Sequence, residues 1–192
     1  DVYKRQAEER ARKGGNGIYY HVSYWGRPHD YLWLGTFSPY LLHQQMKLAY
    51  DRGIQKMWVL NVGDIKPAEY QIELFLDMAW NIDEVNEIGV TAHLKSWLGR
   101  EFGSNCAEEL LPAMEAHYQL SYIRKPEFMG NTREEERDPK YKVIKDLPWS
   151  EQTISERLRS YTVLSDVVER MESNIPADRQ DAYFQLVKYP VQ

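Results

Sequence analysis

The sequence is poor in several things at once. It has a single cysteine, Cys106, in 192 residues. That excludes an internal disulfide and any multi-cysteine metal site, and leaves the compartment open. It has no excess of basic charge. The net charge of -5 argues against a nucleic-acid partner, because phosphate contacts need a basic face. No run of about 18 apolar residues occurs, so no membrane-spanning helix is expected. There is no glycine-rich phosphate loop, no zinc-ligand spacing and no nucleophile elbow. No cofactor or metal is therefore expected. No pair of carboxylates stands out as a catalytic acid and base. The first residues, "DVYKRQAEERARK", are charged and lack the apolar stretch of a signal peptide. Both ends read as cut, and Asp1 to Gln6 reads as translated adapter sequence rather than part of the fold.

What is present is enough to fold. Apolar residues make up 43% and aromatics 13%, so a real core can be buried. "AEERARKGG" reads as a short polar helix stopped by two glycines. "IYYHVSY" reads as a strand. Ser38 can cap a helix that opens with Pro39 and ends at Gly53. "IQKMWVLNVGD" reads as a second strand, and its continuous "MWVL" suggests burial on both faces. "AEYQIELFLDMAWN" is the next helix, with Ile72, Leu74, Phe75 and Met78 on its apolar side. Strand, helix, strand, helix implies parallel pairing. Two strands alone do not make a stable buried parallel sheet, so further strands are expected upstream or in another chain.

From about Asn81 the pattern is helical. Gly89 interrupts one helix, and Pro112 predicts a kink or break in the next, for which Ser104 is the expected cap. "GNTREEERDPKYKVIKDLPW" reads as a solvated loop. Ser150 caps a long amphipathic helix, and Pro176 starts a last one. The fold class expected is α/β plus all-α, with residues 1–80 as the α/β part and 81–192 as an antiparallel helical bundle.

Ligands of parallel α/β folds bind at the C-terminal ends of the strands. That rule selects "HVSYWGRPHD" and "LNVGDIKP". From pattern alone, His21 fits a core histidine bonded to a carbonyl somewhat better than a ligand contact. Tyr24 and Trp25 fit rim packing, and also fit stacking against the apolar face of a sugar ring. Asn61 is more informative, because asparagine is a poor strand former placed where the strand opens. Its amide can donate to one sugar oxygen and accept from another. Arg27, His29 and Asp30 lie in the loop after the first strand. Glu69 and Glu73 suit a helix N-terminus. Cys106, near another N-terminus, reads as packing. His43, His93 and His117 lie on separate helices without metal-type spacing.

"GGNGIYYHVSYWGRPHDYLWLGT" followed by "DRGIQKMWVLNVGDIKPAEYQIELFLDMAWN" resembles glycosyl hydrolase family 115, the xylan α-1,2-glucuronidases. The resemblance continues through "YIRKPEFMG" and "IPADRQDAYFQLVKYPVQ". It implies that residues 17–80 are the last two βα units of a (β/α)8 catalytic barrel, followed by the family's helical domain. It implies a substrate site holding His21, Tyr24 and Asn61, with Trp25 beside them. The substrate implied is an acidic xylan oligosaccharide or polysaccharide, and the enzyme a secreted or periplasmic homodimer. The acid and base of an inverting hydrolysis would lie on earlier strands, outside this chain, which alone would be inactive. His21 and Tyr24 are three residues apart, so both reach one pocket only if the strand bends or ends near Ser23. Two other readings remain: a non-enzymatic helical interaction module, and a barrel hydrolase for another acidic glycan.

Overall fold

A computed structural model describes residues 11–25, 31–129 and 148–192. The chain is a mixed α/β protein, mostly helical, with two parallel strands. Strands β1 (Gly17–His21) and β2 (Met57–Asn61) pair in register from Gly17 opposite Met57 to His21 opposite Asn61. The crossover is helix α1 (Pro39–Asp51). It starts where expected: the Ser38 side chain accepts from the Leu41 N–H at 3.4 Å, and Pro39 takes the first position. Gly53, at φ 82°, turns the chain out of α1 in a conformation that suits glycine. Helix α2 (Glu69–Trp80) follows β2. Residues 7–10 of the expected helix 7–15, residues 26–30 of the loop after β1, and the charged stretch 130–147 lie outside the described residues, and residues 11–15 form turns rather than helix.

Helices α1 and α2 lie against one face of the sheet. Leu42, Met46, Leu74, Phe75 and Met78 form a core there, with Ile18, Tyr20, Trp58 and Leu60 packed on it. Ile72, expected on that apolar side, is only half-buried. The other face is bare. Tyr19 is 58% exposed and Met57 62%, and Val59 is exposed as well. The expectation that "MWVL" is covered on both sides is therefore not met among the described residues. Only Trp58 and Leu60 are covered, because both crossover helices pack on the same side.

Helix α3 (Ile82–Phe102) is capped by Asn81, whose side chain accepts from the Glu84 N–H. It breaks at Gly89 (φ 77°, ψ 160°), as the sequence suggests. Its first half joins the sheet-side core through Ile82, Val85 and Val90. Its second half, through Leu94, Trp97, Leu98 and Phe102, joins a second core. Helix α4 (Ser104–Ile123) shows two differences from expectation. Gly103, not Ser104, is the capping residue, and no side chain caps this end. Pro112 does not break it. Pro112 and Glu108, whose carbonyl loses its intrahelical donor, both lie on the solvent side, where water can replace the missing bond.

Helix α5 (Glu151–Glu172) is capped by the Ser150 side chain, which accepts from the Thr153 N–H at 3.1 Å. The expected last helix is fragmented. It runs through a 3-10 turn (Ala177–Arg179), α6 (Gln180–Tyr183), a π turn (Phe184–Lys188) and α7 (Tyr189–Val191). The Tyr189 N–H reaches the Phe184 carbonyl, one residue beyond the α pattern. Pro190 just beyond has no N–H for the Leu186 carbonyl, and a widened turn relieves that ring's clash with the preceding turn. Tyr183 is fully buried here and donates to the Val168 carbonyl at 2.7 Å. Among the described residues no helix is long and apolar enough to cross a membrane.

Leu110 is fully buried in the second core. Leu110→Ala should cost about 2–5 kcal/mol of stability in denaturant unfolding, from lost transfer energy plus a cavity. His117 is buried on α4, and burial lowers its pKa from 6.5 to about 4, with the Leu34 backbone opposing only in part. On acidification the unfolded chain takes up this proton near pH 6.5 and the folded chain not until about 4. Stability should therefore fall through that window, by on the order of 3 kcal/mol in all. His117→Gln should flatten that part of the stability–pH curve relative to the unsubstituted chain.

Candidate functional site

The in-register pairing puts His21 and Asn61 side by side where both strands end. β1 stops at His21. The Val22 N–H then bonds the Asn61 carbonyl at 3.0 Å, with Val22 and Ser23 buried. The chain turns there, and Tyr24 comes back over His21. The two rings are stacked, with centroids 4.3 Å apart and an interplanar angle of 7°. Strict alternation would have sent them to opposite faces, but the strand has already ended. Tyr19, two residues before His21 and on the same face, meets the imidazole edge-on at 4.7 Å. His21 Nδ1 is shielded from solvent and has no partner among the described residues.

Asn61 is held from two sides. Its Nδ2 donates to the Tyr19 hydroxyl oxygen, and its Oδ1 accepts from the Gly63 N–H at 3.1 Å. The second contact is the local turn that asparagine side chains form with the backbone two residues on. One amide hydrogen, one lone pair on Oδ1 and the Tyr19 hydroxyl hydrogen remain for a ligand. Gly63 makes room for Trp25. A Cβ at position 63 would collide with the Trp25 indole and with Ser23 Oγ, and its φ of 66° also suits glycine.

Tyr19, His21, Tyr24, Trp25 and Asn61 thus line one open depression of about 700 Å³ at the C-terminal edge of the sheet. All four residues expected at the site are brought together there. Tyr19 and Gly63 were missed. Period-two alternation from His21 finds Tyr19, and the tight "NVGD" turn marks Gly63. Arg27, His29 and Asp30 lie outside the described residues. The described lining offers ring faces, hydroxyls, an imidazole and an amide, and no carboxylate. It can bind and orient a polyhydroxylated ligand, but those residues hold no carboxylic acid and carboxylate base.

Three other places hold titratable groups. Cys106 is buried, its Sγ lies 3.6 Å from the Asn174 carbonyl, and burial together with Glu109 raises its pKa, which disfavours the thiolate. Helices α2 and α3 bring Glu73, Asp77 and His93 within reach of one another, a grouping that spacing did not suggest. His93 Nε2 lies 3.0 Å from Asp77 Oδ2, and Glu73 is ion-paired with Arg100. Those partners already occupy the groups. Glu69 stands at the start of α2, where burial raises its pKa above the usual carboxylate value.

The sequence model of glycosyl hydrolase family 115 matches residues 3–128. The chain belongs to glycosyl hydrolase family 115. A solved structure of a family GH115 4-O-methyl-α-glucuronidase, with specificity for decorated arabinogalactans, is 70% identical to it and superposes with a TM-score of 0.92. The likeness covers 97% of this chain and 25% of that one, so the chain spans about a quarter of that enzyme's length. No curated protein matches. The family 115 match takes in both strands and every residue of the depression.

Gly63→Ala should destabilise this family 115 chain by about 1–3 kcal/mol in denaturant unfolding, because it imposes a strained left-handed φ and displaces the indole. A shift of the Trp25 fluorescence toward longer wavelength should accompany the loss.

Proposed function

We propose that this chain is the substrate-holding part of a larger α-glucuronidase. The reaction is hydrolytic release of a glucuronosyl or 4-O-methylglucuronosyl branch from a decorated polysaccharide, either glucuronoxylan or arabinogalactan. Family membership supports the reaction class, and the related enzyme that acts on decorated arabinogalactans widens the substrate beyond xylan. The observation that carries the reading is the doubly anchored Asn61 amide beside the His21–Tyr24 stack, at the C-terminal ends of parallel strands. That is where α/β enzymes bind ligands.

On this reading, Asn61 and Tyr19 hydrogen-bond sugar hydroxyls, and the Tyr24 and Trp25 rings meet apolar sugar faces. His21 Nδ1, shielded and without a described partner, is a further position for a sugar oxygen. Hydrolysis with inversion needs a carboxylic acid to protonate the leaving oxygen and a carboxylate to activate water, about 6.5–9.5 Å apart. The described depression has neither, and on this reading both come from earlier strands of the barrel. The bare sheet face at Tyr19, Met57 and Val59 suits further strands closing a (β/α)8 barrel.

In the full-length enzyme, Asn61→Ala should lower kcat/KM on a decorated substrate by about 1.5–3 kcal/mol in transition-state terms. Unchanged kinetics would remove Asn61 from the site. The isolated 192-residue chain should release no detectable glucuronate from the same substrate.

A further inference from the structure

Next to the depression, the chain between β1 and α1 carries an unusual backbone. Tyr31 and Trp33 both sit at positive φ, 59° and 70°. The Leu34 N–H bonds the Leu32 carbonyl at 2.8 Å, so Trp33 is the central residue of a γ-turn with positive φ. That turn is rare and strained, the more so for a bulky side chain. Strain of this kind persists only where the surroundings hold it, and it concentrates at ligand-binding sites. Trp33 nevertheless gains little burial, being 62% exposed.

What the turn achieves is the placement of an indole. Trp33 lies beside the exposed Trp25, with ring centroids 5.8 Å apart and planes tilted by 43°. Trp25 also lines the depression that holds His21 and Asn61, so the pair continues directly from it. The turn is held by a residue 95 positions away in sequence. After α4, the 3-10 turn Pro126–Phe128 presents Glu127, whose Oε1 accepts from the Leu32 N–H at 2.8 Å. The other oxygen, Oε2, is shielded and has no partner among the described residues. Lys125 stands 4.6 Å over the Tyr31 ring.

We propose that Trp33 and Trp25 form a stacking subsite for a neutral pyranose adjoining the acidic sugar, and that Glu127 is the positioning residue that holds Trp33 in place. The proposal rests on the carbohydrate reading of the neighbouring depression. Exposed indole faces match the C–H face of a pyranose. A neutral sugar is the natural occupant, because the acidic branch to be cleaved is attached to one.

The test compares two substrates on the full-length enzyme: the decorated polysaccharide, and methyl α-glucuronoside, which has no neutral sugar to stack. The readout is the ratio of kcat/KM for the polymer to that for the glycoside. Trp33→Ala should lower that ratio roughly tenfold, mainly through KM for the polymer. Trp33→Phe, which keeps a ring, should keep most of it. Glu127→Ala should lower the ratio as Trp33→Ala does. Glu127→Gln should restore it, because the amide oxygen still accepts from the Leu32 N–H. An equal loss on both substrates, or an unchanged ratio, overturns the proposal. If Trp33→Ala does not fold, the Glu127 pair reads the same ratio. If Asn61→Ala leaves both substrates unaffected while the ratio still falls in Trp33→Ala, the depression reading fails and the stacking subsite stands.

Discussion

The site depends on one constraint, the in-register parallel pairing of β1 and β2. Register places His21 opposite Asn61, and the Val22 N–H to Asn61 carbonyl bond extends the ladder just past the strand ends. A slip of either strand by one residue would send that strand's side chain, His21 or Asn61, to the helix-covered face. With the register fixed, Tyr19 falls on the same face as His21 and reaches Asn61, and the turn after Val22 lays Tyr24 on the imidazole. The aromatic and polar parts of the depression are consequences of the ladder rather than separate inventions.

The same pairing explains why the sheet is one-sided. Both helices that follow the strands pack over Ile18, Tyr20, Trp58 and Leu60, leaving Tyr19, Met57 and Val59 facing out. The covered face joins a core that ends partway along α3. Beyond the break at Gly89, the same helix serves a second core with α4 and α5. The helical part is anchored to the sheet side through this broken helix, through Tyr70 of α2 in the second core, and through the Tyr40 hydroxyl, which donates to Glu115. It also reaches back to the site through Glu127 and Lys125, so the loop after β1 is shaped in part by residues that follow α4.

Features set by local chemistry were legible in the sequence. The Ser38 and Ser150 caps, the Gly89 break and the parallel strand–helix order all follow from short-range rules, and the structure shows them. The position of Asn61 at the mouth of a strand was legible for the same reason. Features set by surroundings were not. Pro112 breaks nothing because its freed carbonyl faces water, and "MWVL" looks doubly buried though one of its faces is bare in this chain. Tyr19 could have been found by counting two from His21. Trp33 could not: a tryptophan at positive φ runs against residue preference, and the Glu127 contact beside it comes from 95 positions away.

On the proposed function, the outward face and exit of this sheet hold the acidic sugar. The most direct measurement is a crystal structure of the full-length enzyme with 4-O-methylglucuronate bound. The sugar should lie against Tyr19, His21, Tyr24 and Asn61, with an Asn61 amide atom at about 2.7–3.2 Å from a sugar oxygen. A sugar bound away from these residues, with the Asn61 amide still satisfied only by Tyr19 and Gly63, would contradict it.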